Sequence, residues 1–366
     1  MVTFFNGLAN GAAVIIAQYY GAKDRKSLHV GLHTAYLFSI VISLIVSLVG
    51  TVLTPWLLTI MNTPQDMTAD STIYLRIYFM GILFTLVYNM GAAIMRAVGD
   101  SRRPLLYLLV CCVMNIILDI VMVVGMKMGI AGAALATVIS QCVSAILVTW
   151  SLTRAYDAMK LKFRELRMDA RVLKKELKIG VPGALQACAY GVTNVVIQAS
   201  VNSFGTDTAA GWAAYGKLDL IFWTVSSALG AAVTTFAGQN YGAGKKDRIK
   251  SGYHISIRLL ICWAALITVA FVFFPRQISV LFFHEEEVIR LSVDYLRIIG
   301  FSEIFLSVEM MTVGALSGLG RTQLCSLISV GLTVIRIPLA LVLSNTALGL
   351  NGIWWALTPV SYTHLR

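Results

Sequence analysis

The sequence predicts an all-α, polytopic membrane protein built as two parallel-repeat six-helix lobes, with about ten complete transmembrane helices present of twelve. Three observations predict it. The 366 residues are 58% apolar and 13% charged, against about 25% charged in a soluble domain, and the mean hydropathy is +0.78. The apolar residues fall in blocks of roughly 20 or more, long enough for a helix to cross a hydrocarbon core of about 30 Å. The two halves also repeat each other at a fixed offset.

In order, the apolar blocks place spans at 1–20, 30–60, 71–96, 104–125, 129–153, 177–203, 210–238, 252–275, 291–317 and 323–345, with a final piece starting near Gly349. Asn62, Thr63 and Pro64 break the chain after the second span, and Gly125 and Gly129 break it after the fourth. Pro104 opens one span and Pro182 is expected in the first turns of another, where proline costs little. Met1 runs straight into a span with no basic leader, so no signal peptide is expected.

The net charge of +11 could suggest a nucleic-acid partner. Its distribution argues otherwise. The basic residues concentrate in the loops at 21–28, 96–103, 154–178, 242–250 and 318–322, and the intervening loops are poor in positive charge. That alternation follows the positive-inside rule and puts the basic loops in the cytoplasm. The longest, at 154–178, is amphipathic and is expected to lie along the membrane face as a connector. All six cysteines lie in apolar blocks and none forms CxxC, so neither a disulfide framework nor a metal site is expected.

Gln18, Tyr20, Gly21 and Ala22 recur as Gln239, Tyr241, Gly242 and Ala243, an offset of 221 residues. The same offset carries His33 to His254, Tyr74 to Tyr295, Arg76 to Arg297 and Gly99 to Gly320. Such a fixed period marks a duplication. Six helices separate the copies, so both halves face the same way, with a substrate path expected between them. The resulting division is an N-terminal lobe at 1–153 lacking its first helix, a connector at 154–176, and a C-terminal lobe at 177–366 whose last helix is incomplete.

Polar residues stranded in apolar runs are the candidates for chemistry. Asp119 sits in VMNIILDIVMV, where a bare charge costs roughly 2.5–3.5 kcal/mol. Asn115, four residues earlier, shares its helix face, so its amide can share a proton or cation with the carboxylate. Glu303 and Glu309 lie in one span and, with Arg336, are candidates to line a substrate cavity; six residues apart, the glutamates do not share a face, and Glu309 is read as the deeper. The plainer alternative for either is an ion pair with Arg336, which is itself stranded in an apolar run. Gln186, Tyr190, Asn194 and Gln198 recur at a spacing of about four and form a polar stripe that lines a cavity or bonds to neighbouring helices. Lys217 and Asp219 are read as interfacial. No GxxxxGK[ST] occurs, which disfavours ATP-driven pumping. The histidines are scattered, which disfavours a membrane enzyme.

AQYYGAKDRKS and its repeat GQNYGAGKKDR, with MRAVGDSRRP, GALSGLGRTQ, IGVPGALQ and NIILDIVMVV followed by GIAGAALATVIS, resemble the MATE (multidrug and toxic compound extrusion) transporters along essentially the whole chain. The resemblance implies a bacterial-type, twelve-helix cytoplasmic-membrane exporter. It would drive amphiphilic or cationic small molecules outward against an inward H+ or Na+ gradient, as a monomer among membrane lipids, with no cofactor beyond the coupling ion. It also implies that Asn115 and Asp119 work with Thr137 on the next helix and with a first-helix aspartate that has no counterpart here. Some members carry a cation-binding glutamate where this chain has Tyr190, a departure that speaks against a sodium site of that type. A related double-lobed flippase of lipid-linked oligosaccharides is the alternative; it would favour a more basic cavity than these sparse, mixed charges provide.

Overall fold

The structure, a computed structural model, describes residues 2–61, 64–155, 159–202, 205–344 and 346. Every regular element among them is helical. The chain divides into two compact units, 1–180 and 181–366.

The first unit contains α1 (Val2–Gly21), α2 (Arg25–Ile60), α3 (Gln65–Ala97), α4 (Arg102–Asp119) and α5 (Gly129–Thr153). Helix α3 packs on α1, α2 and α5. Small residues let it do so. Gly81 faces Val138 and Gly91 faces Val148, both on α5, at separations that leave no room for a Cβ. Against α1, the buried faces are Ala9 and Ala12 on one side and Ala92, Ala93 and Ala97 on the other. Small residues allow close backbone approach where lipid supplies no hydrophobic drive between helices.

Helix α4 is the reverse case, since only Pro104 and Cys111 are buried along it. Leu105, Leu108, Val113 and Ile116 are exposed. An exposed apolar surface of this extent suits lipid or another protein surface rather than water. Pro104 does lie at the start of α4, and its carbonyl accepts from the Tyr88 hydroxyl at 2.9 Å.

The second unit contains most of α6 (Ala170–Asn202), then α7 (Thr206–Gly242), α8 (Lys246–Phe273), α9 (Pro275–Val280), α10 (Glu286–Gly300), α11 (Glu303–Gly318) and α12 (Thr322–Ser344). Helices α10 and α11 are one path bent by 54°. The break frees carbonyls, and side chains satisfy them. Ser302 Oγ donates to Ile299 O at 2.8 Å, and Thr268 Oγ1 on α8 donates to Gly300 O at 2.6 Å. Helices α7 and α11 run parallel in tight contact. Gly314 lies against the Gly230 carbonyl and accepts from Thr234 Oγ1 at 3.0 Å, while Gly318 lies against the Thr234 carbonyl.

Among the described residues seven helices are long and apolar enough to cross a membrane, or eight if the bent pair is one span. This is a polytopic all-α membrane protein. The shortfall from ten lies in α1 and α6, which form where expected but carry Asn6, Asn10 and Gln18, and Gln186, Asn194 and Gln198, among their apolar residues. Helix α6 also starts earlier than the expected span. Pro182 is therefore interior to it, not in its first turns, and leaves a carbonyl without its helical donor. The expected piece from Gly349 onward lies outside the described residues.

The 154–176 segment is only partly helical. Leu161 is buried in the first unit's core, a 3-10 turn follows at Phe163–Glu165, residues 166–169 are extended or irregular, and α6 begins at Ala170. Polar clips hold it to α2. Lys162 N donates to His33 Nε2 at 3.1 Å, and Asp169 N donates to Thr34 Oγ1 at 3.1 Å.

Candidate functional site

Asn115 and Asp119 lie one turn apart on α4, half-buried on the side of the helix that also carries the buried Pro104 and Cys111. Asn115 Nδ2 and Asp119 Oδ1 are enclosed and make no hydrogen bond among the described residues. Buried polar atoms are normally satisfied, so two orphans on one face mark a place adapted to something other than packing. Thr137 is half-buried on α5, the helix packed against α4. Its hydroxyl donates to Ala133 O at 3.1 Å, so what it can offer a ligand is an acceptor lone pair.

Directly after Asp119 the helix widens into a π-turn, Ile120–Gly125. Met126 N donates to Val121 O, five residues back, at 2.8 Å. The turn is anchored where Gly132 of α5 meets Met122, and it ends at Lys127 and Gly129, both with positive φ. Single π-turns inside α-helices gather at functional sites. The apolar run VMVVG gave no sign of this one; the paired glycines around a lysine showed only that the helix ends.

In the second unit the two glutamates differ from expectation. Glu303, in the first turn of α11, is 1% exposed, whereas Glu309 is half-buried. Glu303 is the more enclosed of the two. Asp219 is not interfacial either. It is 8% exposed, and its carboxyl is hydrogen-bonded to that of Glu303. Lys217, on another face of α7, is exposed as expected. Arg336 lies within α12, but its side chain is outside the described residues.

The α6 stripe lies on the side of the helix that also carries the buried Thr193, Ile197 and Val201, seven residues beyond Gln186, Tyr190 and Asn194. Gln186 Oε1 accepts from Ser326 Oγ on α12 at 3.4 Å. The Tyr190 ring lies 5.8 Å from that of Trp223 on α7. Asn194 is exposed, and Gln198 Nε2 donates to Asn202 Oδ1 at 2.7 Å.

Sequence reasoning passed over two polar groups. His29, His33 and Glu165 bring ligand-capable atoms within 4.8 Å of one another, yet the histidines were read as scattered. His29 Nε2 meets Glu165 Oε2 at 2.7 Å. His33 uses both ring nitrogens, Nδ1 on His29 O at 2.8 Å and Nε2 on Lys162 N. Both nitrogens being engaged, the trio acts as a clamp on the connector. Hydrogen bonds from Lys162 and then from His29 hold the Glu165 carboxyl below its usual range. The second group is Glu176, near the N-terminal end of α6. It is 3% exposed with Oε1 unpartnered, and burial pushes its carboxyl up to about 8. Its surroundings in sequence are lysines, and such a run reads as solvated.

The MatE family model matches residues 1–121 and 182–342. The chain is 28% identical over 363 residues to the probable multidrug resistance protein YoeA of Bacillus subtilis (strain 168), covering 97% of this chain and 78% of that protein. It is 29% identical over 358 residues to YpnP of the same strain, another probable multidrug resistance protein, covering 96% of this chain and 79% of that one. The crystal structure of MATE in the bent conformation superposes with a TM-score of 0.93 at 20% identity, covering 99% of this chain and 81% of the other, which is a likeness of fold. Matched by the family model over most of its length and folded as its members are, the chain belongs to the MatE family.

Proposed function

We propose that this chain is a cation-coupled antiporter that exports amphiphilic or cationic small molecules across the cytoplasmic membrane, with Asn115 and Asp119 as its coupling site. The enclosed, unpartnered amide and carboxylate on one face of α4 carry this reading. A carboxylate at membrane depth that is not neutralised by a partner binds a proton or a metal cation instead. The Asn115 amide and the Thr137 oxygen offer the remaining ligands. Loading this site and binding substrate must compete, because a ligand shifts a conformational equilibrium only by its differential affinity for the two states. The names of the two Bacillus subtilis relatives support drug-like substrates. Glu309 and the α6 stripe of Gln186, Tyr190 and Asn194 are the side chains assigned to substrate. The protein works as a monomer and needs no cofactor beyond the coupling ion.

The test is efflux of a cationic dye from proteoliposomes holding this chain, with proton and sodium gradients imposed separately. One gradient should drive efflux, and Asp119→Asn should reduce it to background while leaving protein yield and melting temperature unchanged. Undiminished efflux from Asp119→Asn removes Asp119 from the mechanism.

A further inference from the structure

We propose that Asp219 and Glu303 form a second proton-binding site, in the C-terminal half, distinct from the Asn115–Asp119 pair. It would serve the same transport cycle and so rests on the exporter reading above.

The two carboxyls come together because their helices are locked in register. Asp219 to Glu303, Gly230 to Gly314 and Thr234 to Gly318 are each 84 residues apart, and the last two pairs are the close approaches that hold α7 against α11. A shared offset means parallel helices, with Asp219 and Glu303 level with one another. Glu303 is almost fully enclosed and Asp219 nearly so. Two carboxyl groups in hydrogen-bond contact need a proton between them, and two carboxylates side by side in an apolar surrounding cannot both be ionised. The second Glu303 oxygen, Oε2, is enclosed and has no hydrogen-bond partner among the described residues. Ser226 Oγ, two turns along α7 from Asp219, is likewise enclosed and unpartnered. A pair retained only for packing would not leave such acceptors orphaned.

Among the described residues, the charged side chains on the neighbouring helices point elsewhere. Arg258 on α8 is exposed, as are Asp294 and Arg297 on α10 and Lys217 on α7. Tyr253 is bonded to Thr312 at 2.8 Å, and Tyr295 packs edge-on against Trp212. Glu309 lies on α11 almost two turns away. The Arg336 side chain lies outside the described residues. Depth fits as well. Helix α11 is 16 residues long, or about 24 Å, so Glu303 lies that far from the basic 318–322 loop. The pair is thus nearer the outer face, where an inward proton gradient delivers its protons.

The measurement is infrared spectroscopy of the full chain in detergent, following the C=O stretch of protonated carboxylic acid as pH is raised, in an Asp119→Asn, Glu176→Gln background that removes the other enclosed carboxyls, efflux being measured separately in the unaltered chain. A protonated-carboxyl band should persist at about pH 7, well above the range of a free carboxylate. It should vanish in the Asp219→Asn, Glu303→Gln double variant. In each single variant it should titrate at lower pH, the like charge being gone. A band unchanged in the double variant, or absent at neutral pH before mutation, overturns the proposal. So does a band that sodium alone displaces at fixed pH, which would make the pair a metal-cation site. The band is read without substrate or gradient. Lost efflux with an intact band therefore rejects the exporter reading alone, and efflux without the band rejects the pair alone.

Discussion

Glu176 shows what a single side chain can do to the pH response. Its backbone carbonyl and the Gly180 backbone press against Gly11 of α1, and the residue is only 3% exposed. An unfolded glutamate loses its proton near 4.5, whereas this one holds it to about 8. The folded state therefore binds the proton more tightly, and stability is full below about pH 4.5 and drains away as pH rises towards 8. The loss is on the order of 4 kcal/mol over that window. The melting temperature of the solubilised protein should fall between about pH 5 and pH 8, and Glu176→Gln should flatten that slope. An equally steep slope in the variant would show that Glu176 does not set it. The sequence hid this residue for a physical reason: burial is decided by which helix crosses it, and its local run, LKKELK, is highly charged. Asp119 was legible because its run is apolar on both sides.

At the scale of elements, two contacts can be tested directly. A Cβ at Gly318 would meet the Thr234 carbonyl and the Ala237 methyl, and a carbonyl in a helix cannot move aside. Gly318→Val should lower stability by about 1–3 kcal/mol, the usual cost of overpacking, seen as a lower melting temperature. The connector depends on His33. Removing that acceptor strands the Lys162 N–H and should raise the rate of tryptic cleavage at Lys160, Lys162, Arg164 and Arg167 about fivefold, the worth of one hydrogen bond. An unaltered cleavage rate in His33→Ala would assign the clamp to Leu161 packing instead. His254, its counterpart in the repeat, is exposed. The repeat thus announced an equivalent position but not an equivalent role. The Asp219–Glu303 contact was unreadable for a similar reason. The offset of 84 acquires meaning only once α7 and α11 are known to be neighbours.

For the whole molecule, the apolar blocks foretold the helices well, because lipid forces backbone groups to pair within each segment. The order and the breaks at 61–64 and 125–129 were readable for the same reason. The apolarity of individual spans was less so, because α1 and α6 carry asparagines and glutamines among their apolar residues. Sidedness remains the prediction that the charge pattern makes most strongly. In a cysteine-free background, Ser27→Cys and Ser251→Cys should both react with an impermeant thiol reagent only in inside-out vesicles. Labelling of the two from opposite faces would break the repeat as well as the exporter built on it.

The small-residue joints carry one more consequence. In the second half Gly314 rests on the Gly230 carbonyl, and at the corresponding positions of the first half the same offset of 84 separates Ala9 from Ala93 and Ala13 from Ala97, small residues again. Backbone resting on backbone has no rotamers with which to absorb a push. A displacement imposed at one of these helices is therefore handed to its companion undamped, and the two travel as a single stiff lever.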